Sequence, residues 1–452
     1  MVERTKQRVV RRVTRTGAAP QEFRFTQDMI PALAQPDLAP YLVKYHQDAW
    51  TAYEKQDLPT TKEEAWRRTD IRGLRKDLFE IAELAKHDDL PSVPQSLLQP
   101  LTDREHGGQM ILTAGGVQLE VDPDILAKGV IFTDLATAER EHPEILEKIM
   151  GQIVRADESK LSAMAGALAR SGVLVYVPRN VQLEEPLHSV LWGAGKGLAY
   201  FSHILVWVDD GASLTYVHEM SSPTETDTQT LHTGIVEVHV GDGANLRLVE
   251  LQTWGEHVWN FTHERARVGR DSNLDWIIGA VGSSLTKSFQ DLDLVDEGAT
   301  GRMSGFYFTD GRQHLDFDTQ QNHMAPHTTS DLLYKGALTD HSRVVWQGMI
   351  YVAPGAQKTD GYQANRNLNL SRDSRADSIP GLEIMADDVR CTHGATVGKI
   401  DPELIFYLQS RGIPTRDAEK LIVEGFFDPV MQRIPFEGVR DRFAQTIIDK
   451  MS

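Results

Sequence analysis

The residue types best suited to chemistry in this 452-residue chain lie near its C-terminal end, in Cys391-Thr392-His393. A thiolate and an imidazole both ligate soft and borderline metals, iron included. On a strand, residues i and i+2 point to the same side, so both side chains can address one metal or one partner. A lone cysteine also serves as a small buried hydrophobe, and that reading stays open beside the first. Cys391 is the single cysteine. It forms no intrachain disulfide, and the reducing cytoplasm is the expected compartment. An iron–sulfur cluster usually takes four protein ligands, mostly thiolates, so this chain alone cannot hold one in the usual form.

Other constellations carry less. His323 and His327 have the i, i+4 spacing of a metal pair on a helix, but Pro326 between them argues against a continuous helix. Asp316 and Asp318 alternate and would share a strand face, as the acidic residues of β-helix polysaccharide-cleaving enzymes do; solvated surface is the plainer expectation. No Gly-x-x-x-x-Gly-Lys-Ser/Thr loop occurs, so ATP hydrolysis by that route is not expected. Gly193-Ala194-Gly195-Lys196-Gly197 has the spacing of neither a phosphate loop nor a dinucleotide fingerprint and is expected to be a flexible turn. A Gly-x-Ser-x-Gly elbow and a His-Glu-x-x-His helix are both missing.

Three textures must position these residues. Residues 21–100 read as helical: Leu42, Tyr45, Ala49 and Tyr53 fall on one helix face, and Thr60 with Glu63, or Thr61 with Glu64, fits a capping box. Residues 101–395 read as strand, with a helical excursion near 143–170. There Val173, Val175 and Val177 alternate, as do Val236, Val238 and Val240. Asp210-Gly211-Ala212 and Asp242-Gly243-Ala244 recur as turn phrases. Ser272, Ala299 and His341 are expected to continue the column that Ala212 and Ala244 begin. Strand-plus-turn units without intervening helices predict a β-solenoid, with a β-sandwich as the alternative.

Residues 396–452 return to helix. Asp401-Pro402 supplies a cap and a first-turn proline, Gly412 a stop, Thr415 the next cap, and Asp428-Pro429 the start of a further short helix ended by Pro435. Val439, Phe443 and Ile447 form a last apolar stripe, for internal packing or for a partner.

Composition bounds the function. A formal net charge of −18 argues against a general nucleic-acid binder. No apolar run is long enough to span a membrane. Residues 1–20 oppose the acidic trend, with Arg4, Lys6, Arg8, Arg11, Arg12 and Arg15, and are expected to be a basic disordered arm.

Several long phrases resemble the SufB/SufD family of iron–sulfur cluster assembly proteins. They are Ala325-Pro326-His327-Thr328-Thr329-Ser330-Asp331-Leu332-Leu333-Tyr334-Lys335-Gly336, Ala376-Asp377-Ser378-Ile379-Pro380-Gly381, Asp387-Asp388-Val389-Arg390-Cys391-Thr392-His393-Gly394-Ala395-Thr396 and Phe406-Tyr407-Leu408-Gln409-Ser410-Arg411-Gly412. Upstream, Trp66-Arg67-Arg68-Thr69-Asp70 resembles the Trp-Arg-x-Thr-Asp signature of the D-type N-terminal region. The resemblance implies a right-handed parallel β-helix core flanked by N-terminal and C-terminal helical regions. It implies a non-catalytic scaffold in a complex with SufB, paired through the β-helix, and with the ATPase SufC, docked on the C-terminal helices and supplying the nucleotide chemistry. Gly394 stands where B-type members resemble His-Glu-Ala-Thr, and further cysteines are absent, which favours the D type. His393 then matches the histidine implicated in a transient iron–sulfur cluster at the SufB–SufD interface, and Cys391 the cysteine two residues before it. A self-pairing homodimer and a β-helix carbohydrate-active enzyme are the alternatives.

Overall fold

The computed structural model describes residues 22–35, 37–86, 90–100, 105–434 and 436–451; the basic arm and Pro435 lie outside them. From Ser171 the chain alternates between two ten-stranded sheets, laying one strand on each per coil. Ser171–Val177, Leu198–Val208, Thr230–Val240, Val258–Val268, Leu285–Leu294, His314–His323, Arg343–Val352 and Arg375–Ile384 stack in one sheet, all parallel. Leu187–Trp192, Ser213–Ser221, Asn245–Thr253, Asn273–Ala280, Thr300–Thr309, Thr329–Leu338, Asp360–Asn369 and Arg390–Lys399 stack in the other. This is the expected parallel β-helix. Every second side chain points between the sheets, where Val206, Val238, Leu248, Ala266, Trp276, Leu292, Phe317 and Trp346 form one continuous core.

The turn column explains the period. Ala212, Ala244, Ser272 and Ala299 are all fully buried, and the backbone N–H that follows each one donates to the carbonyl of the equivalent residue one coil before. After Ala299 the column continues with Thr328 and Thr359, whose carbonyls accept from Asp360 and Arg390. His341 is not its next member: the turn Asp340-His341-Ser342 lies at the other corner, ahead of Arg343–Val352, and His341 is exposed. An apparently irregular spacing is thus two corners of one regular coil.

Each sheet's outer face is covered by helix. The helices Pro40–Lys55 and Lys160–Leu168 pack over the first sheet with Phe201, Phe261 and Leu285. Between Lys55 and residue 95, however, the only described helix is short 3-10 turns. Here Pro59 and Gly73 break any helix, and Trp66, Ile71, Leu74 and Phe79 bind the chain across the sheet instead. The Thr60 expectation survives only in half, as Glu63 accepting from the Thr60 N–H at 2.8 Å.

The C-terminal helices Thr415–Met431 and Glu437–Lys450 fold back over the second sheet. Val439, Phe443 and Ile447 face Phe306 and its neighbours there, so this stripe is internal packing. Two details differ from expectation. The N-cap of the first of these helices is Pro414, without a side-chain cap, and Pro429 lies inside the helix rather than opening a new one. Proline crowds the carbonyl four residues earlier and removes an N–H. It is tolerated here because it lies in the last turn; one residue past the carbonyl it leaves free, Lys335 Nζ donates to the Phe426 carbonyl and lies 4.6 Å from the ring centroid.

The two ends of the solenoid differ. At the N-terminal end both sheets finish in antiparallel strands: Ile131–Asp134 against Ser171–Val177, and the hairpin Gly108–Thr113 with Gly116–Val121. Met110, Leu112, Ile125 and Phe132 plug the interior. At the C-terminal end nothing among the described residues stacks on Arg375–Ile384 or Arg390–Lys399, and neither strand contains a buried residue.

Candidate functional site

Cys391 and His393 lie on this last open coil. Register places Cys391 against Gly361 and His393 against Gln363. Gln363 points inward, since its amide donates to the carbonyls of Gly381 at 2.9 Å and Gly348 at 3.4 Å across the interior. Residues aligned in a ladder share a face, so Cys391 and His393 both occupy the inner side of the final strand. Had another coil followed, they would be core. Instead His393 is exposed, and Cys391 is half-buried against Ile350, Val352, Ala353 and Ala356.

Burial raises the Cys391 thiol above its ordinary range, partly opposed by a backbone hydrogen bond from Gly361 and reinforced by Asp360. The free chain therefore presents a thiol, which a bound cation would convert to thiolate. Around the two residues, Leu382, Ile384, Met385 and Val397 are exposed large apolar side chains. An apolar rim with two ligating groups, on two strands each lacking a neighbour on one side, is a surface built for covering.

His323 and His327 do not come together. His327 sits exposed in a left-handed turn (φ 58°), while His323 is fully buried inside the coil. The hydrogen bonds around His323 fix its tautomer. Thr328 Oγ1 donates to the Ala325 carbonyl and so accepts from His323 Nδ1 at 2.8 Å. Ser330 Oγ accepts from Gln321 Nε2 at 2.6 Å and donates to His323 Nε2 at 2.8 Å. Nε2 is then the unprotonated nitrogen. Desolvation lowers the His323 pKa to about 4, keeping the ring neutral.

Asp316 and Asp318 do share a face, the outer one: Asp316 lies under the N-terminal segment, and Asp318 lines a surface cavity beside Trp66. Asp316 is fully buried, 2.9 Å from the equally buried Lys287 Nζ, and accepts from Thr69 Oγ1. Asp318 is 3.7 Å from the same ammonium, and burial raises its pKa. The pair anchors the Trp66–Thr69 stretch, with Lys287 lying 5.9 Å over the Trp66 ring. Of the two carboxylates of the enzyme alternative, Asp316 is therefore occupied. Gly195 and Gly197 take positive φ in a turn, as expected of that Gly-rich phrase.

Sequence reasoning placed the helix Pro402–Ser410, reached from the last strand through Ile400 and Asp401, but passed over its exposed apolar face. It is capped by Asp401, whose side chain accepts from the Glu403 N–H at 2.9 Å. It buries nothing: Leu404, Tyr407 and, at 72% exposure, Phe406 face solvent. The spacing of these residues carried the signal, but internal packing and partner docking look alike in one sequence. Among the described residues no group of three or more His, Cys, Asp or Glu side chains is placed to hold a metal, and no helix is long and apolar enough to cross a membrane.

Comparison with known proteins accounts for both halves of the chain. Residues 191–426 match the family model for the SufBD core domain of the SUF system of iron–sulfur cluster assembly, and residues 30–188 that for the SufBD N-terminal region. The chain is 32% identical over 427 residues to the iron–sulfur cluster assembly protein SufD of Bacillus subtilis, covering 90% of this chain and 95% of that one. It is also 32% identical over 320 residues to an iron–sulfur cluster assembly SufBD family protein of Staphylococcus saprophyticus, covering 70% and 68%. The parallel β-helix, with its family phrases set on the last coils, is thus that of a SufD-like protein, and the chain belongs to the SufBD family of iron–sulfur cluster assembly proteins.

Proposed function

We propose that this chain is the D-type scaffold subunit of a SUF complex, contributing one half of a transient cluster site. The observation that carries this reading is the open inner face of the last coil, with His393 and Cys391 set in an apolar rim. A B-type partner, SufB, stacking its own β-helix end there would cover Leu382, Ile384 and Val397, and would add thiolates to the nitrogen of His393. The cluster is cargo, so a site completed only by two chains suits a scaffold that must release its product. The ATPase SufC would dock on the C-terminal helices, where Leu404, Phe406, Tyr407 and Leu421 are exposed; this chain supports the assembly without hydrolysing nucleotide itself.

The test is reconstitution of the three-component complex with His393→Ala. Cluster yield should fall at least tenfold while the complex still co-purifies; full yield would remove His393 from the mechanism. A homodimer through the same open end is the competing arrangement, because the unpaired strand edges suit a second copy as well. Anaerobic reconstitution of the chain alone, with iron counting, separates the two.

A further inference from the structure

The interior beneath the open end is polar, and its hydrogen bonds favour one sheet. Asn365 and Asn367 lie on Asp360–Asn369, the strand below Cys391 and His393, and both are buried. Tyr307, fully buried on Thr300–Thr309, reaches past an intervening coil to meet them. Its path is open because the residue in between is Gly336, whose Cβ would lie 1.7 Å from the Tyr307 side chain. Three bonds then close a cycle. The Tyr307 hydroxyl donates to Asn367 Oδ1 at 2.6 Å, Asn367 Nδ2 to Asn365 Oδ1 at 2.6 Å, and Asn365 Nδ2 back to the Tyr307 oxygen at 3.0 Å. Donor follows acceptor all the way round, so each bond polarises the next.

The cycle has one outlet, to the first sheet. Asn367 Nδ2 also donates to Ser378 Oγ at 3.1 Å, and that hydroxyl donates to Asn365 Oδ1, fastening the strand Arg375–Ile384. Gln363 adds a second tie to the same strand through the Gly381 carbonyl at 2.9 Å. Nothing comparable reaches the other end strand. Arg390–Lys399 sets Ala395 above Asn365 and Val397 above Asn367, neither with a polar side-chain atom, and the Gln363 amide beneath His393 turns across the interior instead. Among the described residues, the side chains of Arg390–Lys399 make no hydrogen bond or ion pair beyond the one Cys391 takes from Gly361. Yet both end strands pair over their full length with a single neighbour.

We infer that Tyr307, Gln363, Asn365 and Asn367 are positioning residues: an interior clasp that presets Arg375–Ile384 as one rim of the open end, while Arg390–Lys399, with Cys391 and His393, takes its final position only from the partner that covers it. This deepens the proposed function, on which it rests, by giving the two end strands different parts. A B-type chain meets Leu382 and Ile384 already in place, which spares the ordering entropy of that half of the contact. The strand bearing the ligating residues stays free to follow a cluster as it is built and as it leaves.

The test is hydrogen–deuterium exchange of the full chain, comparing in each end strand the amides bonded to its neighbour. Those of Arg375–Ile384 should exchange at least tenfold more slowly than those of Arg390–Lys399. Tyr307→Phe keeps the aromatic ring and removes the hydroxyl, and Gln363→Met keeps the length and removes the donor. Each should speed exchange in Arg375–Ile384 at least fivefold and leave Arg390–Lys399 and the helix Lys160–Leu168 unchanged. Equal exchange of the two strands in the wild type, or variants that speed neither strand or both alike, overturns the clasp. In the complex, Tyr307→Phe should weaken binding of the B-type chain at least fivefold without lowering cluster yield per assembled complex, because the clasp bonds neither Cys391 nor His393. Lower yield at unchanged binding also overturns it. If the exchange contrast is missing while yield still depends on His393, only this inference fails. If the contrast is present but yield is indifferent to His393, the clasp stands and the proposed function fails.

Discussion

The two ends of the solenoid solve the same problem in opposite ways. A stack of parallel strands always leaves an unpaired row of backbone groups and an uncovered apolar layer at each end. At the N-terminal end the chain reverses direction in both sheets and inserts Met110, Ile125 and Phe132 into the interior. At the C-terminal end the last coil carries the same inward pattern, with Pro380, Leu382, Ile384, Ala395 and Val397, and leaves it in solvent. One end is finished within the chain. Among the described residues nothing covers the other, and that is where Cys391 and His393 sit.

The largest expected effect comes from opening the closed end. Phe132→Ala removes a plug residue packed beside Gly108 and Tyr216, and should cost about 3–5 kcal/mol in urea unfolding. Acid should act strongly on the same closed coils. Burial lowers the pKa of His232, His263, His314 and His323 to about 4 and of His218 to about 3. A histidine with a depressed folded-state pKa contributes stability that is full above its unfolded value of ~6.5 and is lost as pH falls toward the folded one. Melting temperature should therefore drop steeply between pH 6.5 and 4, and His232→Gln should flatten that profile.

The converse holds for Glu250 and Glu264, whose pKa values desolvation raises. Their stabilisation is present at low pH and lost as pH rises, so Glu250→Gln should raise the melting temperature at pH 8 more than at pH 5. At the open end the effects move from folding to association. Leu382→Arg should weaken assembly with a B-type chain, or self-association, at least tenfold in sedimentation, with little change in the isolated chain's melting. Ser378→Ala removes the hydroxyl shared with Asn365 and Asn367 and should cost about 1 kcal/mol. Smallest of all, Val397→Ala should change stability by less than about 0.5 kcal/mol. A loss comparable to that of Phe132→Ala would mean that the chain covers its own C-terminal end after all.

The same contrast sets what was legible in the sequence. Valines at period two and Asp-Gly turns pointed to stacked strands, because a strand and a tight corner each impose a local residue type, but a sandwich shares that pattern and the family phrases were needed to favour the solenoid. The assignment of His341 to the turn column failed because two corners of one coil use similar residues, and only pairing separates them. The helical reading of residues 56–95 failed where tertiary burial of Trp66 and Phe79 overrode local capping signals. Cys391 and His393 were singled out from ligand type and strand period, and the structure sets both on the inner side of the last strand. Their exposure was not legible: inward-facing residues of a last coil look like core until one sees that no coil follows.

The connection after the final strand has a mechanical consequence. Only Ile400 and Asp401 separate Arg390–Lys399 from the exposed helix Pro402–Ser410. So short a tether has almost no slack, and a load on that helix reaches the strand bearing His393 nearly undamped. The direction of the load then matters. A pull along the strand shears the whole ladder to Asp360–Asn369 at once and meets high resistance, whereas a pull away from the sheet peels it from the Lys399 end, one bond at a time. The molecule is stiff to one kind of force and compliant to the other, and the compliant direction is the one that would lift the last strand off the rest of the sheet.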